Sequence, residues 1–349
     1  MTGFSVDVRE GGMGNTFQDA GRLGFRHQGM PASGFLDAPL AHCANALVGN
    51  AANASCIEMR VLGPTLVVTS GALRVAIAGQ AQPVITRANS LQQPLLPWHS
   101  ATLFEGDALR VGAIQNGCAY LSIAGAALLP EAMGSQSTYA RVAVGGLNGR
   151  ALTTGDTFDG PANSVDVSTR QLHSTQPFEW PAGPVRVIAG PQSDHFAADA
   201  LDALVGTIWT ATAEQDRMGV RLSGQRLAHL TPAHADITSD GIAPGTIQVP
   251  GNGLPIVLLA DCHTVGGYPK IATVITADLP RMAHMPAGTS FQFQLVDHAQ
   301  AAQALQVADA LLATWVGQLK TYSPPGFLDE KALYGENLVS GFLRADPLG

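Results

Sequence analysis

The chain has 349 residues, a net charge of −8 at pH 7 and only 13% charged residues, against roughly a quarter in an average soluble protein. No run of lysine and arginine offers a footprint for a phosphate backbone, which argues against a nucleic-acid partner. The length suits two domains, and 46% apolar residues with few charges point to surface buried against a partner subunit.

The N-terminus "MTGFSVDVREGG" has no basic segment leading into an apolar one, so no secretory signal is expected. Its "FSVDV" (4–8) reads as a strand. "DAPLAHCANALVG" (37–49) reads as a helix opened by Asp37 and closed by Gly49, with Leu40, Cys43, Ala44 and Leu47 on one face. Short β-branched strands follow at 65–69, 73–79, 108–113 and 119–125. The polar, turn-rich stretch Asp159–Gly183 resembles a linker between domains. Beyond it come a strand at 185–190, a helix at 193–206, and strands at 246–251 and 255–261. The last element is a long helix, 298–320, with Ala302, Leu305, Ala308, Leu312 and Trp315 on one stripe.

Regularly spaced short strands predict barrels rather than a parallel sheet alternating with helices. "QDAGRLGFR" (18–26) resembles "QDRMGVR" (215–221), which suggests an internal duplication. The expected division is a first β-barrel domain at 1–165, a second at 183–297, and a C-terminal helix and tail at 298–349.

Two uncharged windows, Val111–Pro130 and Gly241–Ala260, contain glutamine, asparagine, glycine and proline and read as buried strands, not membrane spans. Cys43, Cys56, Cys118 and Cys262 form no CxxC pair, which fits a reducing cytoplasmic setting and signals neither zinc nor a disulfide framework. "EGGMGNTF" (10–17) lacks the third glycine of a dinucleotide fingerprint; GxxxxGK[ST] and GxSxG are absent, and no histidines stand at HxH or HExxH spacing. No metal is expected.

What remains is a set of glycine-rich polar turns, suited to holding a small polar ligand at close range. The densest is "DCHTVGGYPKIATV" (261–274), which ends the apolar run "LPIVLLA". A turn needs two or three polar residues. This one presents Asp261, His263, Tyr268 and Lys270 around a glycine pair expected to serve the turn.

The turns "NTFQDAGRLGFRHQGMPASGFLD", "GSQSTY", "GGLNGRAL", "AGPQSDHF", "QDRMGVRL", "PGTIQVPGNGLPIVLLAD" and "GGYPKIATVITADLPRMA" together resemble, from about residue 5 to about residue 295, the KipA-like family. That group contains the 5-oxoprolinase C subunit, allophanate hydrolase subunit 2 and the second half of the carboxyltransferase domain of urea carboxylase. The resemblance implies two cyclophilin-like β-barrels, a KipI-like partner and, in the 5-oxoprolinase branch, a LamB/YcsF-like subunit. There the complex opens the lactam of 5-oxoproline to glutamate with ATP, whose site is not assignable in this chain. The urea carboxylase branch would instead use biotin carried from elsewhere, and a KipA-like regulator would only bind its KipI-like partner.

For either chemistry a small amide must be fixed by donors and a base. Asp261, His263 and Lys270 are the catalytic candidates. Ser33, Asp37, Arg217, Gln248 and Tyr268 are the substrate-binding ones. Each has a structural alternative: Asp37 as a helix cap, Arg217 as a bridge to Asp216 or Asp240, Gln248 as a strand-edge bond, Lys270 as a solvated cation. Relatives commonly place Gln-Thr-Thr where this chain has His263, Thr264 and Val265, and glutamine where it has Leu254.

Overall fold

The computed structural model describes residues 2–162 and 171–322. It is mainly β, with two large sheets and a few helices, as the sequence pattern predicts; the second sheet is nearly closed into a barrel, its two end strands, Ser290–Phe291 and Phe293–Leu295, being joined by a single residue. The tail from residue 323 lies outside the described residues. Among the described residues no helix is long and apolar enough to cross a membrane.

The first sheet has ten strands, the first Thr2–Glu10 and the last Thr157–Pro161, which pair with each other. Its centre is the strand Thr65–Ala81, which pairs with Thr2–Glu10, Ser100–Phe104, Ala108–Arg110 and Ile114–Ile123. The sequence pattern divides this strand at residues 70–72. The chain instead continues through Gly71, whose φ of 75° no β-branched residue adopts and where a Cβ would lie 2.2 Å from the Gly3 carbonyl oxygen. The barrel-facing side chains accordingly switch from even positions, Leu66 and Val68, to odd ones, Leu73, Val75 and Ile77.

That slip frees Ala76 and Ala78 to face outward, under the helix α1 (Ala38–Val48). All four expected α1 side chains are buried there, and the Asp37 carboxylate accepts from Leu40 N at 2.9 Å as its N-cap. This layer belongs to the same hydrophobic cluster as the interior of the second sheet, including Val187, Trp209, Ile247 and Val257, so the two units share a continuous core. Trp209 is fully buried and its indole N–H donates to the Leu204 carbonyl at 2.8 Å.

The second sheet has eight strands running from Val185–Ala189 to Phe293–Leu295, which pair in parallel; its other neighbours are antiparallel. The expected helix 193–206 is divided: a 3₁₀ turn, Ser193–His195, and α2 (Ala200–Gly206) flank an extended Phe196 that bridges His229. A short α3 (Leu279–Ala283) precedes the long α4 (His298–Gly317), which opens on a capping box between Asp297 and Gln300.

The expected stripe holds at Ala308, Leu312 and Trp315, but Ala302 and Leu305 lie exposed and Ala304 is buried in their stead. Ala304 and Ala308 pack on Ile275 and Ala277 of the second unit, while Trp315 meets Trp98 of the first edge to face at 5.5 Å. Gln171–His173 then pairs with Lys320–Tyr322. Residues 171–174 of the stretch read as a linker are therefore laced onto the first barrel, with Ser174 N donating to the Trp98 carbonyl at 2.9 Å.

Candidate functional site

The strand Ile256–Leu258 ends the apolar run, and the chain leaves it at Asp261, whose amide donates to the Arg217 carbonyl at 2.9 Å. Arg217 stands in the turn between the strands Trp209–Gln215 and Gly219–Ser223. Asp216 holds that turn by accepting from Met218 N at 2.7 Å, just as Asp19 accepts from Gly21 N at 2.8 Å in the matching "QDAG" segment. The two similar sequence segments thus build the same local device.

Arg217 bridges neither Asp216 nor Asp240. Its guanidinium binds Asp261 through two contacts of 2.8 and 3.1 Å, the Gly34 carbonyl at 2.7 Å, and Glu58 of the first barrel. Burial opposes a charge on Arg217, but Glu58 and Asp261 outweigh it and raise its pKa. The second Glu58 oxygen accepts from Leu36 N at 2.9 Å and from the Tyr120 hydroxyl at 2.7 Å. Tyr120 in turn accepts from Asp37 N at 2.8 Å; burial, with Cys118 and Glu58 nearby, pushes its phenol pKa well up.

The other Asp37 oxygen accepts from the Trp180 indole N–H at 2.9 Å and meets His284 Nε2 at 2.6 Å. Burial alone would lower the His284 pKa, but the neighbouring Cys118 and Asp37 raise it to about 11. Cys118 Sγ lies 3.5 Å from His284 Nε2; burial raises the thiol's pKa, and the neighbouring His284 works against that rise. Asp37, Arg217 and Asp261 are therefore linked, through Glu58, Tyr120 and His284, into one buried network across the junction.

A cleft of about 640 Å³ opens beside this network. His263, Tyr268 and Gln248 line it together with Gly266 and Gly267. Gln248 Nε2 donates to the Tyr268 carbonyl at 3.2 Å. Neither glycine of the pair has a left-handed φ, so the turn does not need them for conformation; a Cβ at Gly266 would instead sit 2.7 Å from Gln248 Nε2. The glycine leaves room for the amide. On the opposite wall Arg221 pairs with Glu214 at 3.0 Å. A second cleft of about 520 Å³ lies between the barrels beyond the same turn, with Gln215 and Asp216 lining both.

His263 is exposed at the cleft and faces the first barrel: Arg141 Nη1 stands 3.3 Å from its Nε2. A guanidinium only donates, so this contact requires an unprotonated Nε2 and places the neutral ring's proton on Nδ1. Arg26 donates to the His263 carbonyl at 3.3 Å and to the Ile242 carbonyl, beside Cys262 Sγ at 3.9 Å.

Five of the eight candidates lie outside the cleft lining: Asp37, Arg217 and Asp261 belong to the buried network, and Lys270 and Ser33 stand apart from both. Lys270 is buried rather than solvated; its ammonium is committed to Asp240 and, at 3.0 Å, to the Gly241 carbonyl. The Lys270 ammonium holds the Asp240 carboxyl below its usual pKa. Ser33 is buried at a φ of 54°, and its hydroxyl has no hydrogen-bond partner among the described residues. Reading the sequence alone missed Glu58, His284, Arg26 and Arg141. Only Glu58 carried a signal, as a lone carboxylate in the apolar strand "CIEM". Among the described residues no three His, Cys, Asp or Glu side chains converge as metal ligands.

Residues 28–295 match the family described as carboxyltransferase domain, subdomain A and B. The chain is 35% identical over 306 residues to the 5-oxoprolinase C subunit of Escherichia coli, covering 86% of this chain and 94% of that protein. It is 29% identical to the urea amidolyase of Lachancea kluyveri, covering 91% of this chain but 18% of that far longer protein. In three dimensions it is similar to the urea amidolyase of K. lactis, with a TM-score of 0.78 at 25% identity, over 95% of this chain and 21% of that one.

Proposed function

Since the chain belongs to the family of carboxyltransferase domains, subdomains A and B, we propose that it is the C subunit of an ATP-dependent 5-oxoprolinase, opening a small lactam in the cleft beside His263. The observation that carries this reading is the cleft itself. It gathers an imidazole, a buried carboxamide and a phenol around a glycine pair of the second barrel. A 5-oxoproline ring is small enough for it.

In this reading Gln248 orients the amide: one of its two N–H groups donates to the Tyr268 carbonyl, which fixes the carboxamide so that Oε1 can accept from the lactam N–H. His263 relays the proton that the ring nitrogen takes up as water adds to the carbonyl carbon and the C–N bond breaks. Tyr268 donates to the carbonyl oxygen as it gains charge. Asp261 and Arg217, saturated by each other and by Glu58, position the strand end rather than touch substrate. Asp37 and Lys270 serve the frame.

Among the described residues neither long helix offers its N-terminus to a phosphate. The two longest helices, α1 and α4, open on Asp37 and Asp297, whose carboxylates already occupy their N-terminal amides. The nucleotide then binds a partner, of which a KipI-like and a LamB/YcsF-like subunit are the candidates, and this subunit works in their complex in the cytoplasm. The test is to purify the chain with its co-encoded neighbours and follow glutamate release from 5-oxoproline with ATP; no turnover by the full complex rejects the reading.

The likeness to urea amidolyase favours a second reading, a carboxyltransferase acting on urea or a related amide. Biotin would then arrive as the carboxylated prosthetic group of a carrier. A biotin carboxylase encoded beside this chain, with carboxylation instead of ring opening, would select it.

A further inference from the structure

The carboxylates around the cleft are matched and two of the cations are not. Asp261 is held by Arg217, Glu214 by Arg221, Asp240 by Lys270, and Asp216 accepts from the amides of its own turn. Arg26 and Arg141, by contrast, make no ion pair among the described residues, and Arg26 Nη1 is a buried donor with no hydrogen-bond partner. Both arginines belong to the first barrel and both converge on His263 of the second, Arg26 at its carbonyl and Arg141 at its ring. Arg26 also reaches Ile242, which lines the cleft. Behind them the loop from Asp19 to Phe35, which Arg217 ties to Asp261 through Gly34, buries two more donors without acceptors, Arg22 Nη1 and Ser33 Oγ.

A buried guanidinium N–H left without an acceptor costs about 1–3 kcal/mol or more. In a chain of net charge −8, such a concentration of unmatched donors at one rim asks for an anionic ligand. Gln248, Tyr268 and the glycine pair in the cleft lining are neutral groups suited to an amide. We propose that Arg26 and Arg141 form an anion subsite at the mouth of the cleft that receives a carboxylate carried by the amide substrate, so that the ligand is anchored by its acid end and presents its amide to Gln248 and His263.

This inference rests on the small-amide reading of the cleft, and a binding experiment on the full chain alone separates the two, because turnover by the complex is not its readout. The chain is titrated calorimetrically with 5-oxoproline, with 2-pyrrolidinone, which has the same lactam without the carboxylate, and with inorganic phosphate. The expected result is at least about tenfold tighter binding of 5-oxoproline than of 2-pyrrolidinone. The preference falls to near unity in Arg26→Gln and Arg141→Gln and is retained in part by Arg26→Lys, with unfolding midpoints close to wild type. Equal affinity for the two lactams, a preference untouched by both substitutions, or no detectable binding of 5-oxoproline overturns the proposal. So does tighter binding of phosphate that the same substitutions abolish, which would assign the arginines to a phosphate group.

Discussion

Asp261 and His263 stand two residues apart at one strand end and live in opposite surroundings. Asp261 faces inward, where Arg217, Glu58 and the Gly34 carbonyl meet around it with every group partnered. His263 faces the cleft, where Arg26 and Arg141 approach with no carboxylate to answer them. The first environment resembles a fastener, since its charges cancel and its geometry joins two barrels. The second resembles a site, because it holds donor capacity in reserve. Polar residues crowded into a few positions therefore divide by how completely they are satisfied, not by how reactive their side chains are.

Breaking the fastener has the largest expected effect. Arg217→Met leaves Glu58 and Asp261 buried and facing each other without a cation, which typically costs about 3–5 kcal/mol. Denaturant unfolding should show a loss of that size. A change under about 1 kcal/mol would mean that the network is not what holds the barrels together. Breaking the site instead should spare stability: His263→Gln is expected within about 0.5 kcal/mol of wild type, while lowering turnover by the assembled complex by about a hundredfold. If His263→Gln keeps full activity, the proton relay lies elsewhere.

The fastener also predicts a pH dependence. The folded pKa of His284 is raised to about 11 from 6.5, so the folded state holds a proton that the unfolded state gives up as pH rises. Its stabilising contribution is whole below about pH 6.5 and is lost progressively toward about pH 11. At pH 6, His284→Gln should destabilise by about 2 kcal/mol, as for a hydrogen bond to a charged group, and the gap to wild type should narrow at pH 10. A gap independent of pH would show that the pair is not charged in the folded protein.

Much of the frame was legible because alternation and glycine boundaries are local signals. Residues 4–8 read directly as a strand, and Asp37 as a cap. The misses are where tertiary contact overrode local pattern. Gly71 looked like a turn but bends one continuous strand, the first turn of the α4 stripe shifted to Ala304 because Ile275 and Ala277 chose its face, and Phe196 was drawn out of a helix by His229. At the site, the segment 261–268 was visible from its density of polar groups. Which of them would be consumed was not, since Asp240 is 30 residues from Lys270 and Glu58 is 159 from Arg217. Arg26 and Arg141 gave no signal at all, because isolated surface arginines become a pair only once the barrels meet.

The glycine pair offers the smallest and most local test. Both glycines have backbone conformations open to alanine, so strain is not at issue, but their surroundings differ: a Cβ at Gly266 meets Gln248 Nε2 at 2.7 Å, whereas at Gly267 the nearest atom is 3.5 Å away. Gly266→Ala must therefore displace the Gln248 amide or break its bond to the Tyr268 carbonyl, a loss of about 1 kcal/mol. Because Gln248 acts on bound substrate, that loss should appear as a roughly fivefold rise in KM with kcat nearly unchanged. Gly267→Ala should leave both constants alone. Equal behaviour of the two variants would return the pair to the turn and remove Gln248 from the site, leaving His263 and the arginines to account for recognition.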